Sequence, residues 1–263
     1  MEPMTIREIM DAVGGKLLGE FGDINRMVGR VETDSRTIHA GSLFVPLVGE
    51  RFDGHAYINA ALEGGAAGCF TQRERESYLP GKFYIKVDST QRALRDLAKY
   101  YKKKFPIPVV ALTGSVGKTT TKDMVAAVLG EKYRVLKTEG NLNNEIGVPM
   151  TLLRLSGEHE IAVLELGMNH AGEIDYLSAL VEPDVVLMTN IGDSHIEHFG
   201  SREKILEAKS EIFHHVKSGA FVVINGDDPL LNTLPGKLPY AFTRVGAGEG
   251  LDYRAEGLVS DGK

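Results

Sequence analysis

Five short runs in the second half of the chain constrain the fold most: "VVALTG", "YRVLKT", "IAVLELG", "VVLMTN" and "AFVVING". Each is short, mainly apolar and rich in β-branched residues. Strands of that kind are covered on both faces, as in a parallel sheet with helices packed against it. Helical segments lie between the runs, so the region from Val109 onward reads as an α/β layer fold. In such sheets ligands bind beyond the carboxyl ends of the strands, which directs attention to the residues that follow each run. The first 105 residues have a different rhythm. "TIREIMDAV" opens with a capping box, Thr5 with Glu8. "SLFVPLVG" and "KFYIKVD" read as strands, "HAYINAALEGG" as a helix ending at Gly64, and "STQRALRDLAKYYKKK" as an amphipathic helix with a basic last turn. Pro106 and Pro108 then break the pattern. The expected organisation is α/β throughout: a small domain over 1–105, then a mainly parallel sheet with helices on both faces over 106–263.

Composition excludes several classes. Apolar residues make up 43% and charged residues 25%, the balance of a globular protein. A net charge of −6 argues against a general nucleic-acid surface. The single cysteine, Cys69, permits no disulfide within the chain, which fits a reducing cytoplasm, and "GGAAGCFTQ" marks it as a small buried strand residue. The N-terminal residues lack a basic segment followed by an apolar run, so no signal peptide is expected. No apolar stretch approaches the ~20 residues of a membrane span, so no membrane insertion is expected either.

After the first run comes "TGSVGKTTTKDMVAAVLG", a glycine-rich turn followed by Lys-Thr and a helix. Backbone N–H groups of such a loop cradle phosphates, with Lys118 reaching the outer phosphates and Thr119 offering a hydroxyl to Mg²⁺. The general P-loop pattern has a further glycine where this chain has Leu112; an ordinary strand-to-helix turn is the alternative. Glu165 interrupts the third apolar run at its carboxyl end, where a carboxylate could hold a hard divalent ion or simply form a salt bridge. Asp193, His195 and His198 follow the fourth run. The asparagines of "EGNLNNEIGVP" suit either a ligand-binding turn or turn chemistry alone. Finally, "KILEAKSEIFHHV" places Ile205, Leu206, Ala208, Ile212, Phe213 and Val216 on one helical face, with Lys209 in its middle. An unpaired ammonium there would cost roughly 4 kcal/mol, so it either snorkels to water or is neutralised.

Together, "TGSVGKTT", "GNLNNEIGVP", "ELGMNHAGEI", "GDSHIEHFGS" and "EAKSEIF", in this order and spacing, resemble the Mur ligases of peptidoglycan synthesis, and most of all the MurF type. The short P-loop is that family's own form. The resemblance implies an ATP-dependent ligase adding D-alanyl-D-alanine to UDP-N-acetylmuramoyl-tripeptide through an acyl phosphate. It implies Lys118, Lys209 and His195 as catalytic residues, and Thr113, Gly114, Ser115, Val116, Gly117, Lys118, Thr119, Thr120 and Asn144 around ATP. Thr119 and Glu165 would serve one Mg²⁺ and His195 a second, with Lys209 carbamylated by CO₂ and turned towards a metal. "ETDSRTIHAGSLFVPLVGERFDGHAYINAALEGGA" resembles the family's UDP-sugar-binding domain, which implies Ser35, Arg36, Asp53, Gly54 and His55 as substrate-binding residues. The residues alone read there as a polar loop and a helix begun at Asp53. The resemblance also implies a third, C-terminal domain absent from this chain, a central domain incomplete at its end, and an inactive fragment. A ligase adding a single amino acid or glutamate, as in folylpolyglutamate synthesis, and a non-catalytic P-loop module remain as alternatives.

Overall fold

The computed structural model describes residues 1–20, 22–49 and 51–257. The chain divides into two compact units, Met1–Pro106 with Pro149–Gly157, and Ile107–Val148 with Glu158–Lys263. Residues 149–157 therefore leave the second domain of the sequence reading and join the first unit. The Tyr101 hydroxyl donates to the Leu155 carbonyl at 2.6 Å, and Gly157 N–H donates to the Glu2 carboxylate at 2.7 Å.

The first unit is built on a five-stranded sheet in the order Lys16–Leu18, Phe83–Lys86, Gly68–Thr71, Leu43–Phe44, Val31–Glu32. Only its first pairing is antiparallel. Phe44, Ile58, Leu62, Cys69 and Tyr84 pack as its core. Cys69 is fully buried, and burial pushes its thiol well above the usual range. The expected capping box is present: Glu8 N–H donates to Thr5 Oγ1 at 3.1 Å and Thr5 N–H to Glu8 Oε2 at 2.8 Å. "SLFVPLVG" is not one strand. Leu43–Phe44 joins the sheet, Pro46 has no N–H to continue the ladder, and Val48–Gly49 pairs instead with Phe52–Asp53 in a hairpin. The helix after it begins as a 3₁₀ turn, Gly54–Tyr57, capped by Asp53, before Ile58–Glu63.

Among the described residues the second unit holds seven strands: β1 (Val109–Thr113), β2 (Val135–Lys137), β3 (Ile161–Glu165), β4 (Val185–Met188), β5 (Phe221–Asn225), β6 (Phe242–Gly246) and β7 (Tyr253–Arg254). All are parallel, in the order β2-β3-β1-β4-β5-β6-β7. The five β-branched runs are its first five strands. β7 lies in a tail that reads as polar and glycine-rich; two exposed edge residues give no apolar signal. Helices α1 (Lys118–Gly130), α2 (Glu173–Val181), α3 (Ile196–Phe199) and α4 (Arg202–Ser210) flank the sheet. Val110, Leu112 and Val163 pack against Ala126 of α1, each buried aliphatic side chain contributing about 1.5–3 kcal/mol. Chain order reverses around β1: β2 and β3 lie on one side and β4 on the other, so the carboxyl ends of β3, β1 and β4 form the topological switch point where such sheets bind ligands.

Candidate active site

The loop between β1 and α1 is the first component. Gly114 has φ +151°, and a Cβ there would meet Thr189 Oγ1 at 1.9 Å; Gly117 has φ +79° and begins α1 with no side-chain cap. Both are positions that glycine accepts and other residues resist. Uncapped N–H groups at the start of a 13-residue helix carry positive partial charge, the basis of phosphate binding. Lys118 folds its ammonium onto the carbonyls of Gly114 (2.9 Å) and Ser115 (3.3 Å). Burial lowers its pKa, and the charge of Glu165 raises it in part. Among the described residues the buried Thr113 hydroxyl has no hydrogen-bond partner, and Val116 is exposed at the tip. Thr120 is exposed on the first turn of α1.

Glu165, at the end of β3, is 1% exposed, and among the described residues it is hydrogen-bonded but forms no salt bridge. Thr119 Oγ1 donates to its Oε2 at 3.0 Å, Asn143 Nδ2 donates to its Oε1 at 2.8 Å, and its own N–H donates to Thr138 Oγ1 at 3.0 Å. The predicted pair of Thr119 and Glu165 is thus in direct contact. Gly167 lets the asparagine turn approach, since a Cβ there would meet Asn143 at 2.8 Å. Asn144 Oδ1 accepts from Ile146 N–H (3.1 Å) and Gly147 N–H (2.9 Å), so its carbonyl serves the turn while the residue also lines the cavity described next.

A cavity of about 270 Å³ gathers Lys118, Asn141, Asn143, Asn144, His195 and Lys209. Lys209 does not snorkel: it is 1% exposed, on a segment where Ile205, Ala208 and Ile212 are buried as well. The helix that carries it changes at Glu211 from α to a 3₁₀ turn, Glu211–His215, where Ser178 Oγ donates to the Ile212 carbonyl. Among the described residues the Lys209 ammonium has no hydrogen-bond or ion-pair partner. Burial, and secondly the charge of Lys118, bring its pKa down to about 7. His195 sits at φ +66°, a conformation costing a non-glycine residue about 1–2 kcal/mol. Burial lowers its pKa first, then the charges of Lys209 and Lys118. Asp193 is committed elsewhere, in a bidentate pair with Arg202 at 2.6 Å. His198 lies against His170, ring centroids 5.4 Å apart.

In the first unit the predicted residues separate. Ser35, Arg36 and Gly54 line a cavity of about 360 Å³ with Phe52 and Tyr57. Arg36 is drawn onto Asp34 in a bidentate pair, which holds the Asp34 carboxyl at about 2. Asp53 and His55 line a different cavity, with Arg73 and Arg75. Their side chains serve the local fold. Asp53 caps the 3₁₀ turn and pairs with Arg73 at 2.8 Å, while His55 Nδ1 bonds Asp53 at 2.6 Å and His55 Nε2 accepts Gln72 N–H at 3.0 Å.

Sequence reasoning missed the residues that hold the loop after β1. Asn190 Oδ1 accepts Val116 N–H at 3.0 Å, and its carbonyl accepts Ser115 N–H at 2.9 Å. Thr189 Oγ1 donates to the Val116 carbonyl at 2.8 Å, and Ser194 Oγ to that of Ser115 at 3.2 Å. Their signal was the polar run immediately after β4. Phe52 and Tyr57, exposed aromatic rings beside Arg36, were missed as well.

Two family models match the chain: "Mur ligase family, catalytic domain" over residues 28–102 and "Mur ligase middle domain" over residues 112–260. The UDP-N-acetylmuramoyl-tripeptide–D-alanyl-D-alanine ligase of Bacillus subtilis is 46% identical over 227 residues, covering 86% of this chain and 50% of that protein. Its Escherichia coli counterpart is 42% identical over 228 residues, covering 87% and 49%. The chain thus spans about half the length of the curated relatives it matches. A crystal structure of MurF from Acinetobacter baumannii superposes with a TM-score of 0.87 at 36% identity, covering 96% of this chain and 55% of that one. MurF from Thermotoga maritima in complex with ADP superposes at 0.77 and 37% identity, covering 85% and 51%. With the middle-domain model alone spanning residues 112–260, more than half of its 263 residues, the chain belongs to the Mur ligase family.

Proposed function

We propose that this chain carries the nucleotide site and the UDP-sugar-peptide site of a cytoplasmic, ATP-dependent ligase that joins D-alanyl-D-alanine to UDP-N-acetylmuramoyl-tripeptide. The observation that carries the reading is one cavity lined by the P-loop lysine, the asparagine turn, His195 and the buried Lys209, beside a carboxylate that already holds the P-loop threonine. The relatives' names supply the substrates.

The residues fit a magnesium nucleotide. Gly114 and Gly117 leave the loop backbone bare for close approach, and α1 presents uncapped N–H groups. The Thr119 hydroxyl and Glu165 carboxylate are hard oxygen donors of the kind Mg²⁺ takes. Among the described residues no group of three or more His, Cys, Asp or Glu could hold a metal. When bound, ATP supplies the phosphoryl group that activates a carboxylate, and Mg²⁺ ions neutralise its phosphates. Lys118 would orient the phosphates, Thr119 and Glu165 would hold one ion, and His195 would meet a second. An amine with a pKa near 7 is in part neutral at physiological pH, the form that adds CO₂. Carbamylated Lys209 would present an anion where the bare chain has an ammonium. In the first unit, Arg36 and Ser35 would take the diphosphate, with Phe52 and Tyr57 offering ring faces to the base.

Thermal denaturation with Mg-ATP and with UDP-N-acetylmuramoyl-tripeptide, added separately, tests both sites. A ligand at 100 times its Kd stabilises the folded state by about 2.7 kcal/mol. Each ligand is expected to raise Tm; a Tm that neither ligand moves refutes the reading.

A further inference from the structure

Asp228 follows β5 and is 8% exposed. Its two carboxylate oxygens do different work. Oδ1 accepts the N–H groups of Leu230 (2.9 Å) and Leu231 (3.0 Å), capping the short turn that follows. Oδ2 accepts Ile191 N–H at 2.7 Å, reaching 37 residues back to the loop after β4. That loop is the one on which the phosphate loop rests. Asn190 takes Ser115 N–H and Val116 N–H, Thr189 and Ser194 bond the carbonyls of residues 116 and 115, and His195 ends the segment at the cavity. Ile191 lies between these contacts. Thr189 N–H also donates to the Thr113 carbonyl at 3.0 Å and Ser115 Oγ to the Gly192 carbonyl at 3.4 Å, both on the phosphate-loop side; away from that loop the other side-chain anchor is the Arg202–Asp193 pair, which is exposed and so weakly holding. The buried, charge-assisted bond to Asp228 is the stronger one.

We infer that Asp228 is a positioning residue for the nucleotide site: through Ile191 it fixes the segment 189–195 and, through that segment, the conformation of the phosphate loop. The inference rests on reading the cavity as a Mg-nucleotide site. Among the described residues Asp228 bonds none of those proposed to contact nucleotide; its carboxylate reaches the segment through Ile191 N–H and, more weakly, through the charge it presents to Arg202.

Asp228→Asn separates the two roles. The amide keeps one acceptor for Leu230 and Leu231 and turns a donor towards Ile191 N–H. Amide hydrogen exchange and Mg-ADP titration on the full chain read the consequence. Exchange at Ile191, Ser115 and Val116 is expected to quicken about tenfold or more, as befits a lost bond to a charged group, with Leu230 and Leu231 still protected. Mg-ADP is expected to bind about tenfold more weakly. Asp228→Ser, which caps the turn but cannot reach Ile191, should show the same pattern and serves if the asparagine variant misfolds. Asp227→Asn is the control: it gives up one of its two bonds, to Ala247 or Gly248 N–H, away from this loop, and should leave Ser115, Val116 and Mg-ADP affinity unchanged. Unchanged exchange at Ser115 and Val116 in Asp228→Asn overturns the inference, as does the same loss in Asp227→Asn. If the wild-type chain binds no Mg-ADP, the nucleotide reading fails, and the exchange arm alone decides the clamp.

Discussion

Replacing Lys209 by Met should stabilise the second unit, and by an amount that depends on pH. Met keeps the length and volume of the side chain and discards the ammonium. The folded amine titrates at about 7, against an ordinary value of 10.5. At about 1.36 kcal/mol per pH unit, that difference is roughly 5 kcal/mol, an upper bound comparable to the whole net stability of a small domain. Below pH 7 both folded and unfolded chains hold the proton, so the full penalty of the buried charge is present. Between 7 and 10.5 the unfolded chain binds a proton that the folded chain does not, and stability rises with pH. Above 10.5 the penalty is gone. The gain on going to Met is therefore largest at pH 6, up to about 5 kcal/mol, and falls to about 2 kcal/mol at pH 9. Urea denaturation of both proteins at pH 6 and pH 9, in CO₂-free buffer to keep the amine unmodified, measures it. A Met variant less stable than the wild type at pH 6, or a difference that does not change with pH, would show that the ammonium is solvated or paired.

Three further substitutions probe other parts of the structure. Lys118→Ala should leave the fold intact and raise the Kd for Mg-ADP about 10- to 150-fold, since a charge-assisted phosphate contact is worth about 1.5–3 kcal/mol; calorimetric titration showing unchanged affinity would sink the P-loop assignment. Gly114→Ala should lower Tm more than Gly117→Ala, because a Cβ at 114 meets Thr189 Oγ1 at 1.9 Å whereas at 117 it meets nothing within 4 Å; equal losses would mean that backbone conformation alone sets the cost. Tyr101→Phe should cost about 1–3 kcal/mol, because it strands the Leu155 carbonyl and Glu2 N–H, both 2.6 Å from the phenol oxygen, and a denaturation midpoint unmoved from the wild type would count against those bonds.

The parts of the fold legible in the sequence are those with a physical period. β1 and β3 are buried along almost their whole length, and β2, β4 and β5 set buried aliphatic residues among more exposed ones, so each is written as a short run rich in β-branched and aliphatic residues. Glu165 and Lys209 stood out because each puts a charge inside such a pattern, and both prove to be buried at the site. Thr119 and Glu165 do meet. What could not be read is what non-periodic polar residues do across distance. Thr189, Asn190 and Ser194 hold the phosphate loop, and Asp228 holds Ile191 beside them, through hydrogen bonds between segments up to 79 residues apart in sequence, as Ser194 to Ser115 shows, and no local pattern marks such a partner. The same holds for His55, whose ring nitrogens go to Asp53 and to the backbone of Gln72, and for residues 149–157, which join the first unit through contacts with Tyr101 and Glu2. Strands of two residues, such as β7, are too short to carry any period.

The role given to the Thr119–Glu165 contact is that it receives the metal accompanying the nucleotide. Titration of ADP into the wild-type chain and into Glu165→Gln, each with and without Mg²⁺, tests this directly. Mg²⁺ should tighten ADP binding about tenfold or more in the wild type and hardly at all in Glu165→Gln, while ADP alone binds both proteins alike. Equal tightening by Mg²⁺ in the two proteins would place the metal elsewhere and contradict the site as described.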